Sequence, residues 1–402
     1  MKILLAVTGS ISAYKTLDLT RELKKAGHQI KVILTKGAEK FVVPQVYKYL
    51  GAEAVYSYQS DFKYPNVLHV ELGNWSDIFV IAPLSANSLS RIVHGEASDL
   101  LTSVFLALKP NVPTLAFPAM NTQMLDHPFV QENISKLYKL NSLSQVFIHP
   151  TDSGELVCNE VGEGKLPKVE LILDFIEVFP IDKDIIGDNL LISTGATIAP
   201  LDPVRFLTNA SSGLTGFQIA KYALSQGKKV KVIAGKYATT KLEHLNAHPN
   251  FKLVRVVTTK EMKEEVFDSL KEYPHYVSSA AIGDFSFKSS NQKIKKEFMP
   301  NELEINYEGD ILKSVIESKL PSKVVGFAAE SELTEKVLIK KFNSKPVDLL
   351  VGTKVNNGLL KDSQLQGFSN NNADYLILDS YQHFTKANLS KNQLAQYIVD
   401  RM

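Results

Sequence analysis

The feature that most constrains this chain is an alternation of two kinds of segment. Short continuous apolar runs such as "KILLAV", "IKVILT", "DIFVIAP" and "VPTLAFP" are separated by longer amphipathic stretches. A strand covered on both faces shows no polar alternation, so these runs read as a parallel sheet with helices on either side. The pattern breaks at "IEVFPIDKDIIGD", where acids mix with a proline and a glycine, and then begins again. "NLLISTGAT", "KKVKVIAG", "FKLVRVV", "HYVSSAA", "KVVGFAAE", "VDLLVG" and "ADYLILD" read as a second set of buried strands. The expectation is α/β: two tandem doubly wound, Rossmann-like domains, 1–188 and 189–402. A length of 402 residues agrees, being more than one core usually serves. A "TG" turn opens each half, which convergent loop chemistry explains as well as a repeat does.

Charge and cysteine usage exclude several classes. With 45 basic and 43 acidic residues, the net charge of +2 offers no general attraction to nucleic acid or to a membrane surface. The opening apolar run is too short for a signal-peptide core or a membrane span. One cysteine cannot form an internal disulfide, which fits a reducing compartment. These observations predict a soluble cytoplasmic protein.

That one thiol, Cys158, lies in "SGELVCNEVGEGKLP", where acids and glycines predict an exposed flap. A structural cysteine is usually buried among apolar neighbours, so chemistry and chance both remain open for it. In "LLAVTGSISAYK", Gly9 and Ser10 stand where a strand gives way to a helix, a place that favours an anion or simply needs a capped turn. "VIAPLSANSLSR" adds Ser85, Asn87 and Ser88 at a second strand end. Two such loops on the carboxyl edge of one sheet point to a nucleotide-like ligand. His69 precedes a predicted short helix, and a lone histidine is more often structural than catalytic. Pro118 and Pro128 bracket a predicted non-helical segment with Met120, Asn121 and Met124, whose methionines could equally fill the core.

In the second half, the polar loop "STGATIAPLDPVRFLTNASSG" presents Asn209, Ser211, Ser212 and Gly213 ahead of a helix, as a phosphate site would. Asp284 follows an apolar strand and suits Mg²⁺ bridging phosphates. The lysines of "KIKK", from Lys293, could meet phosphates or form a solvated face.

Taken together, "GSISAYK", "LHVELGNWSDIFVIAPLSANSLSRIVHGEASDLLT", "PAMNTQM" and "LVCNEVGEGKLP" resemble the flavin-dependent cysteine decarboxylases. "DPVRFLTNASSGLTG", "AAIGDF" and "KIKK" resemble phosphopantothenate–cysteine ligase, and the order is similar to the bifunctional coenzyme A biosynthesis family. The resemblance implies a flavodoxin-like flavoprotein domain followed by a ligase domain. In the first, FMN oxidises the thiol side of 4′-phosphopantothenoylcysteine so that the departing CO₂ leaves its electrons in a thiocarbonyl sink. It assigns Cys158 as proton donor, His69 as base and Asn121 as partner of the substrate carboxylate. FMN would be held by Gly9, Ser10, Thr35, Ser85, Asn87 and Ser88. Leu125 stands where the family usually has tryptophan, which removes an indole N–H from that wall.

For the ligase, the resemblance implies that 4′-phosphopantothenate attacks CTP to give an acyl-cytidylate, and that cysteine then displaces CMP. Asn209 would act on the acyl-cytidylate. Asp284, Lys293, Gly309, Asp310, Ile311, Phe327, Lys341 and Lys345 would meet CTP, with Asp284 also holding Mg²⁺ (or Mn²⁺). Ile282, Gly283 and Asp284 replace the usual "VAD", and Glu308, Gly309 and Asp310 the usual "NPD". Trimers of the flavin half and dimers of the ligase half imply a homo-oligomer, a dodecamer. Two other readings compete: a flavin reductase with a nicotinamide domain, which lacks its glycine-rich turn, and a regulatory relative, against which the presence of His69, Asn121 and Cys158 argues.

Overall fold

In a computed structural model the chain forms two compact units, Met1–Asp182 and Lys183–Met402. The structure describes residues 1–57, 67–139, 145–155, 161–179, 189–295, 297, 302–355 and 372–402. Cys158 and the expected boundary at residue 188 lie outside them.

The first unit is built on strands β1 (Lys2–Val7), β2 (Gln29–Leu34), β3 (Ala54–Tyr56), β4 (Ile78–Leu84), β5 (Thr114–Pro118) and β6 (Val146–Ile148). All pair in parallel, in the order β3-β2-β1-β4-β5-β6. Every residue of β4 and β5 is buried, as expected of strands sandwiched between helices. Phe79, Leu4 and Ala116 on the sheet pack with Leu72, Leu89 and Val104 from the covering helices. The short edge strands β3 and β6 escape sequence detection because three residues carry too little periodicity. A hairpin of β7 (Asp152–Glu155) and β8 (Val161–Lys165) follows. The segment expected as a flap is therefore rooted in paired strands.

The second unit repeats the plan with an extension. Its strands begin with β9 (Leu190–Thr194), β10 (Ile198–Pro200), β11 (Phe206–Thr208), β12 (Val230–Gly235), β13 (Phe251–Val256) and β14 (His275–Ser278). They continue with β15 (Phe285–Phe287), β16 (Ile305–Tyr307), β17 (Lys323–Glu330), β18 (Leu349–Lys354), β19 (Asn372–Asp379) and β20 (Phe384–Ser390). The main sheet runs β13-β12-β9-β14-β17-β18-β19-β20. Its first six members are parallel, but β19 and β20 are antiparallel, so the sheet is mixed. "ADYLILD" is the buried strand expected, but it runs antiparallel to β18, and a tight turn at Asp379–His383 joins it directly to its other antiparallel neighbour, β20.

In each unit the central strand has a neighbour on either side whose connections leave in opposite directions. This opens a crevice at the carboxyl ends of the strands, which is where α/β proteins bind ligands. Two local expectations need correction. His69 is the second residue of helix Leu68–Trp75, and "TQML" forms a short helix, Thr122–Leu125, capped by Asn121.

Candidate functional site

At the carboxyl edge of the first sheet lies a cavity of about 1150 Å³. Gly9, Ser10, Thr35, Ser85, Asn87 and Ser88 all line it, together with Asn121. The strand ends bring them together. Ser10 caps a short helical turn by accepting the Ser12 N–H at 3.4 Å, and Ser85 caps helix Ala86–Val93 through the Ser88 N–H, also at 3.4 Å. Thr8 locks the two loops by donating to the Pro83 carbonyl at 2.7 Å while accepting the Ser85 N–H at 2.9 Å. Gly9 has a steric reason: a Cβ there would sit 3.0 Å from the Gly37 Cα, so the first two strand-end loops could not close up. The result is a cradle of capped helix starts, suited to a phosphate.

Cations missed in the sequence complete this cavity: Lys15, Lys36, Lys40, Arg91 and Lys165 all line it. Lys15 donates to the Leu166 carbonyl at 2.9 Å, and burial, with the nearby Lys165 charge, pushes its ammonium below the ordinary lysine value. Arg91 is held against Asp99 at 2.8 Å. The signal for Lys15 was present in "GSISAYK", since a lysine one turn into the helix after such a loop stays near the strand end.

The substrate-side wall comes from two interlocked segments. Met120 N–H donates to the Gly164 carbonyl at 3.0 Å, and Thr122 donates from its hydroxyl to the Glu163 carbonyl at 2.5 Å. Gly164 has φ +121°, and a Cβ there would lie 2.2 Å from the Met120 oxygen, so no other residue fits. Strand β8 is thereby pressed onto the asparagine segment. Asn121 Oδ1 accepts the Gln123 N–H at 2.8 Å, which fixes the amide's orientation. Leu125 is 6 % exposed and is not among the lining residues, so the change from tryptophan acts on packing beneath the wall. His69 is half-buried and does not line the cavity either.

The cavity of the second unit is smaller, about 300 Å³. Asp284, Gly309, Asp310, Ile311, Phe327, Lys341 and Lys345 line it, as do Ser211, Ser212 and Gly213 at the start of helix Leu214–Ser225. Asn209 stands behind the rim, donating from Nδ2 to the Ala281 carbonyl at 3.1 Å, and Lys293 is exposed and outside the lining. Lys341 pairs with Glu330, and Lys345 with Asp310. Glu330 has no sequence signal, since its place at the end of β17 is visible only once the strand is known. An incoming polyphosphate would compete with these carboxylates for the two lysines. Among the described residues no group of three His, Cys, Asp or Glu side chains could hold a metal alone. A magnesium ion here fits only as one carried by one or two carboxylates and the ligand's phosphates.

Fold and cavities define a two-domain α/β protein with a lysine-lined cleft at the carboxyl edge of each sheet. Comparison with known proteins gives the particulars. Residues 1–179 match the flavoprotein family, and residues 185–402 match the DNA/pantothenate metabolism flavoprotein C-terminal domain. The coenzyme A biosynthesis bifunctional protein CoaBC of Bacillus subtilis (strain 168) is 34% identical over 88% of this chain and 86% of its own length. That of Escherichia coli (strain K12) is 33% identical over 94% and 90%. A crystal structure of the C-terminal domain of a CoaBC is 25% identical, with a TM-score of 0.43, covering 55% of this chain and 96% of that one. The chain belongs to the family of bifunctional coenzyme A biosynthesis proteins. It is an enzyme with a flavoprotein decarboxylase half and a phosphopantothenate–cysteine ligase half.

Proposed function

We propose that residues 1–188 decarboxylate 4′-phosphopantothenoylcysteine with bound FMN, and that residues 189–402 first make that compound from 4′-phosphopantothenate, cysteine and CTP. The observation that carries this reading is the convergence of all six expected flavin residues on one cavity that also includes Asn121. FMN, when bound, supplies the two-electron oxidation that turns the substrate thiol into an electron sink. The chain's own residues do the rest. Gly9 lets the cofactor phosphate approach the backbone and Ser10, Ser85 and Ser88 offer it their hydroxyls, while Thr35 and Asn87 meet its remaining polar atoms. Asn121 donates to the substrate carboxylate, a neutral partner that orients the group without holding it as an arginine would. Cys158 returns a proton to the product, a role open to a thiol at neutral pH because a free thiol titrates at about 8.5. His69 serves as the base. Its absence from this chain's own cavity supports a site completed by a second copy, as in trimers within a dodecamer. Mixing a His69→Asn protein with a Cys158→Ser protein under exchange conditions tests this, since mixed assemblies would regain activity that neither variant has.

In the ligase half, Lys341 and Lys345 neutralise the phosphates of CTP, Asp284 holds Mg²⁺ (or Mn²⁺) against them, and Phe327, Gly309, Asp310 and Ile311 shape the pocket. Lys293 adds charge at the reacting phosphorus, and Asn209 acts on the acyl-cytidylate. Positioning and charge neutralisation dominate such phosphoryl chemistry. The described residues contain no helix long and apolar enough to cross a membrane, which accords with a cytoplasmic biosynthetic enzyme. The decisive experiment is mass spectrometry after mixing the protein with 4′-phosphopantothenate, cysteine, CTP and Mg²⁺. 4′-Phosphopantetheine with CMP and CO₂ is the expected outcome; accumulation of phosphopantothenoylcysteine would remove the decarboxylase assignment, and no turnover would remove both.

A further inference from the structure

Lys293 lies on the arm that joins β15 to β16. Residues 288–295 of the arm form neither helix nor strand. The residue next to Lys293 is nevertheless gripped at both of its backbone groups. Asp202 Oδ2 accepts the Ile294 N–H at 3.3 Å, and Arg205 Nη2 donates to the Ile294 carbonyl at 2.9 Å. A further bond, from the Ser290 N–H to the Leu201 carbonyl at 3.0 Å, ties the start of the arm to the same turn.

The gripping pair is itself rigid. Asp202 Oδ1 accepts the N–H groups of Val204 and Arg205, each at 2.8 Å, and Arg205 Nε reaches Oδ2 at 3.0 Å. The Asp202 side chain has no exposed surface. The Arg205 guanidinium and the backbone donors hold its carboxyl well below the usual carboxylate range, so it stays ionised at any working pH. A turn needs only Oδ1 for its own closure. The second oxygen, already held by the Arg205 fork, also accepts from the arm, and a planar fork can bind a carboxylate and a carbonyl at once where a lysine cannot.

We propose that Asp202 and Arg205 form a latch that fixes the backbone beside Lys293 and so sets where that lysine can reach, making both of them positioning residues for ligation. The proposal rests on the reading of Lys293 as a CTP-site lysine. Its test uses full-length Asp202→Asn, Arg205→Lys, Lys293→Gln and the double variant Asp202→Asn with Lys293→Gln. Asp202→Asn is expected to raise the KM for CTP about tenfold or more, with decarboxylation of supplied phosphopantothenoylcysteine unchanged. If the latch acts through the lysine, the double variant is no slower than Lys293→Gln alone, and trypsin cuts after Lys293 and Lys295 faster in Asp202→Asn than in the parent. Arg205→Lys keeps the charge beside the buried carboxylate and carries the same tests should Asp202→Asn fail to fold. Losses that multiply in the double variant, or an unchanged tryptic pattern, overturn the latch. A normal KM in Asp202→Asn beside an impaired Lys293→Gln overturns the latch while leaving the reading of Lys293 intact; an unimpaired Lys293→Gln removes both.

Discussion

The two cavities occupy equivalent places on two sheets of the same strand order, yet they are assembled differently. In the flavin half every expected cofactor residue sits in the loop after β1, β2 or β4 or in the first turn of the helix that follows β4, and all line one large cavity. In the ligase half Asp284 also follows a strand, but Lys341 and Lys345 sit on helix Glu335–Ser344 and its C-cap, Lys293 rides on an arm beyond β15, and Asn209 bonds the Ala281 carbonyl from outside the lining. A strand-end loop inherits its position from the sheet, whereas an arm has to be placed by side-chain bonds. The comparison teaches that the first site is organised by topology and the second partly by a few polar contacts.

The widest separation between the halves should come from Cys158→Ser. Losing the proton donor is expected to slow 4′-phosphopantetheine formation on the order of 10²–10⁴-fold, with an oxidised intermediate accumulating and the CMP release rate unchanged. Coupled assays of CO₂ and CMP on one preparation read both, and full CO₂ yield would take Cys158 out of its role. Lys293→Gln is the mirror image: ligation should drop on the order of 10²–10³-fold, while decarboxylation of supplied intermediate stays at the parent rate. An undiminished CMP rate would return that lysine to the solvated surface.

Gly164→Ala sharpens the claim that the flavin site is held by backbone fit. A Cβ cannot occupy a point 2.2 Å from the Met120 oxygen, so the hairpin and the Asn121 segment must separate. A displacement of that size costs up to about 10² in rate and about 1–3 kcal/mol in stability, measurable by decarboxylase kinetics and thermal unfolding. Wild-type kinetics in this variant would show that the contact does not position Asn121.

The smallest effect is a pH dependence confined to the ligase half. His248 is 4 % exposed, its Nδ1 accepts the Asn250 N–H at 3.2 Å, and burial pushes its pKa down to about 3. Below an unfolded-state value of about 6.5 the unfolded chain takes up a proton that the folded one refuses. Stability from this residue is therefore complete above that pH and falls with acidification towards pH 3, by about 2 kcal/mol at pH 5. Hydrogen exchange of the β12 amides at pH 7 and pH 5 should show the loss, and His248→Gln should flatten it. Equal slopes in parent and variant would assign the acid sensitivity elsewhere.

How much of this was legible beforehand depended on where each residue lies along a strand. The long buried runs at β1, β4, β9 and β12 were readable because burial on both faces leaves an uninterrupted apolar string. The loops that follow them were readable for the same reason. The antiparallel direction of β19 was hidden, since a buried strand looks alike in either direction, and the three-residue edge strands were too short to register. Among site residues, Lys15 was legible from its place after the "GSIS" loop, whereas Glu330 was hidden because its pairing with Lys341 depends on where a strand ends.

The sequence by itself determined two α/β halves, the strand-end loops that hold anions, and the motif order that places the chain in its family, because these follow from local periodicity and residue chemistry. Tertiary structure alone decided which of those residues meet. The fit of Gly164 on Met120, the pairing of Lys341 and Lys345 with Glu330 and Asp310, and the hold of Asp202 and Arg205 on Ile294 all join segments distant along the chain. Such contacts have no periodic signature; they exist only once packing has brought the strand ends together.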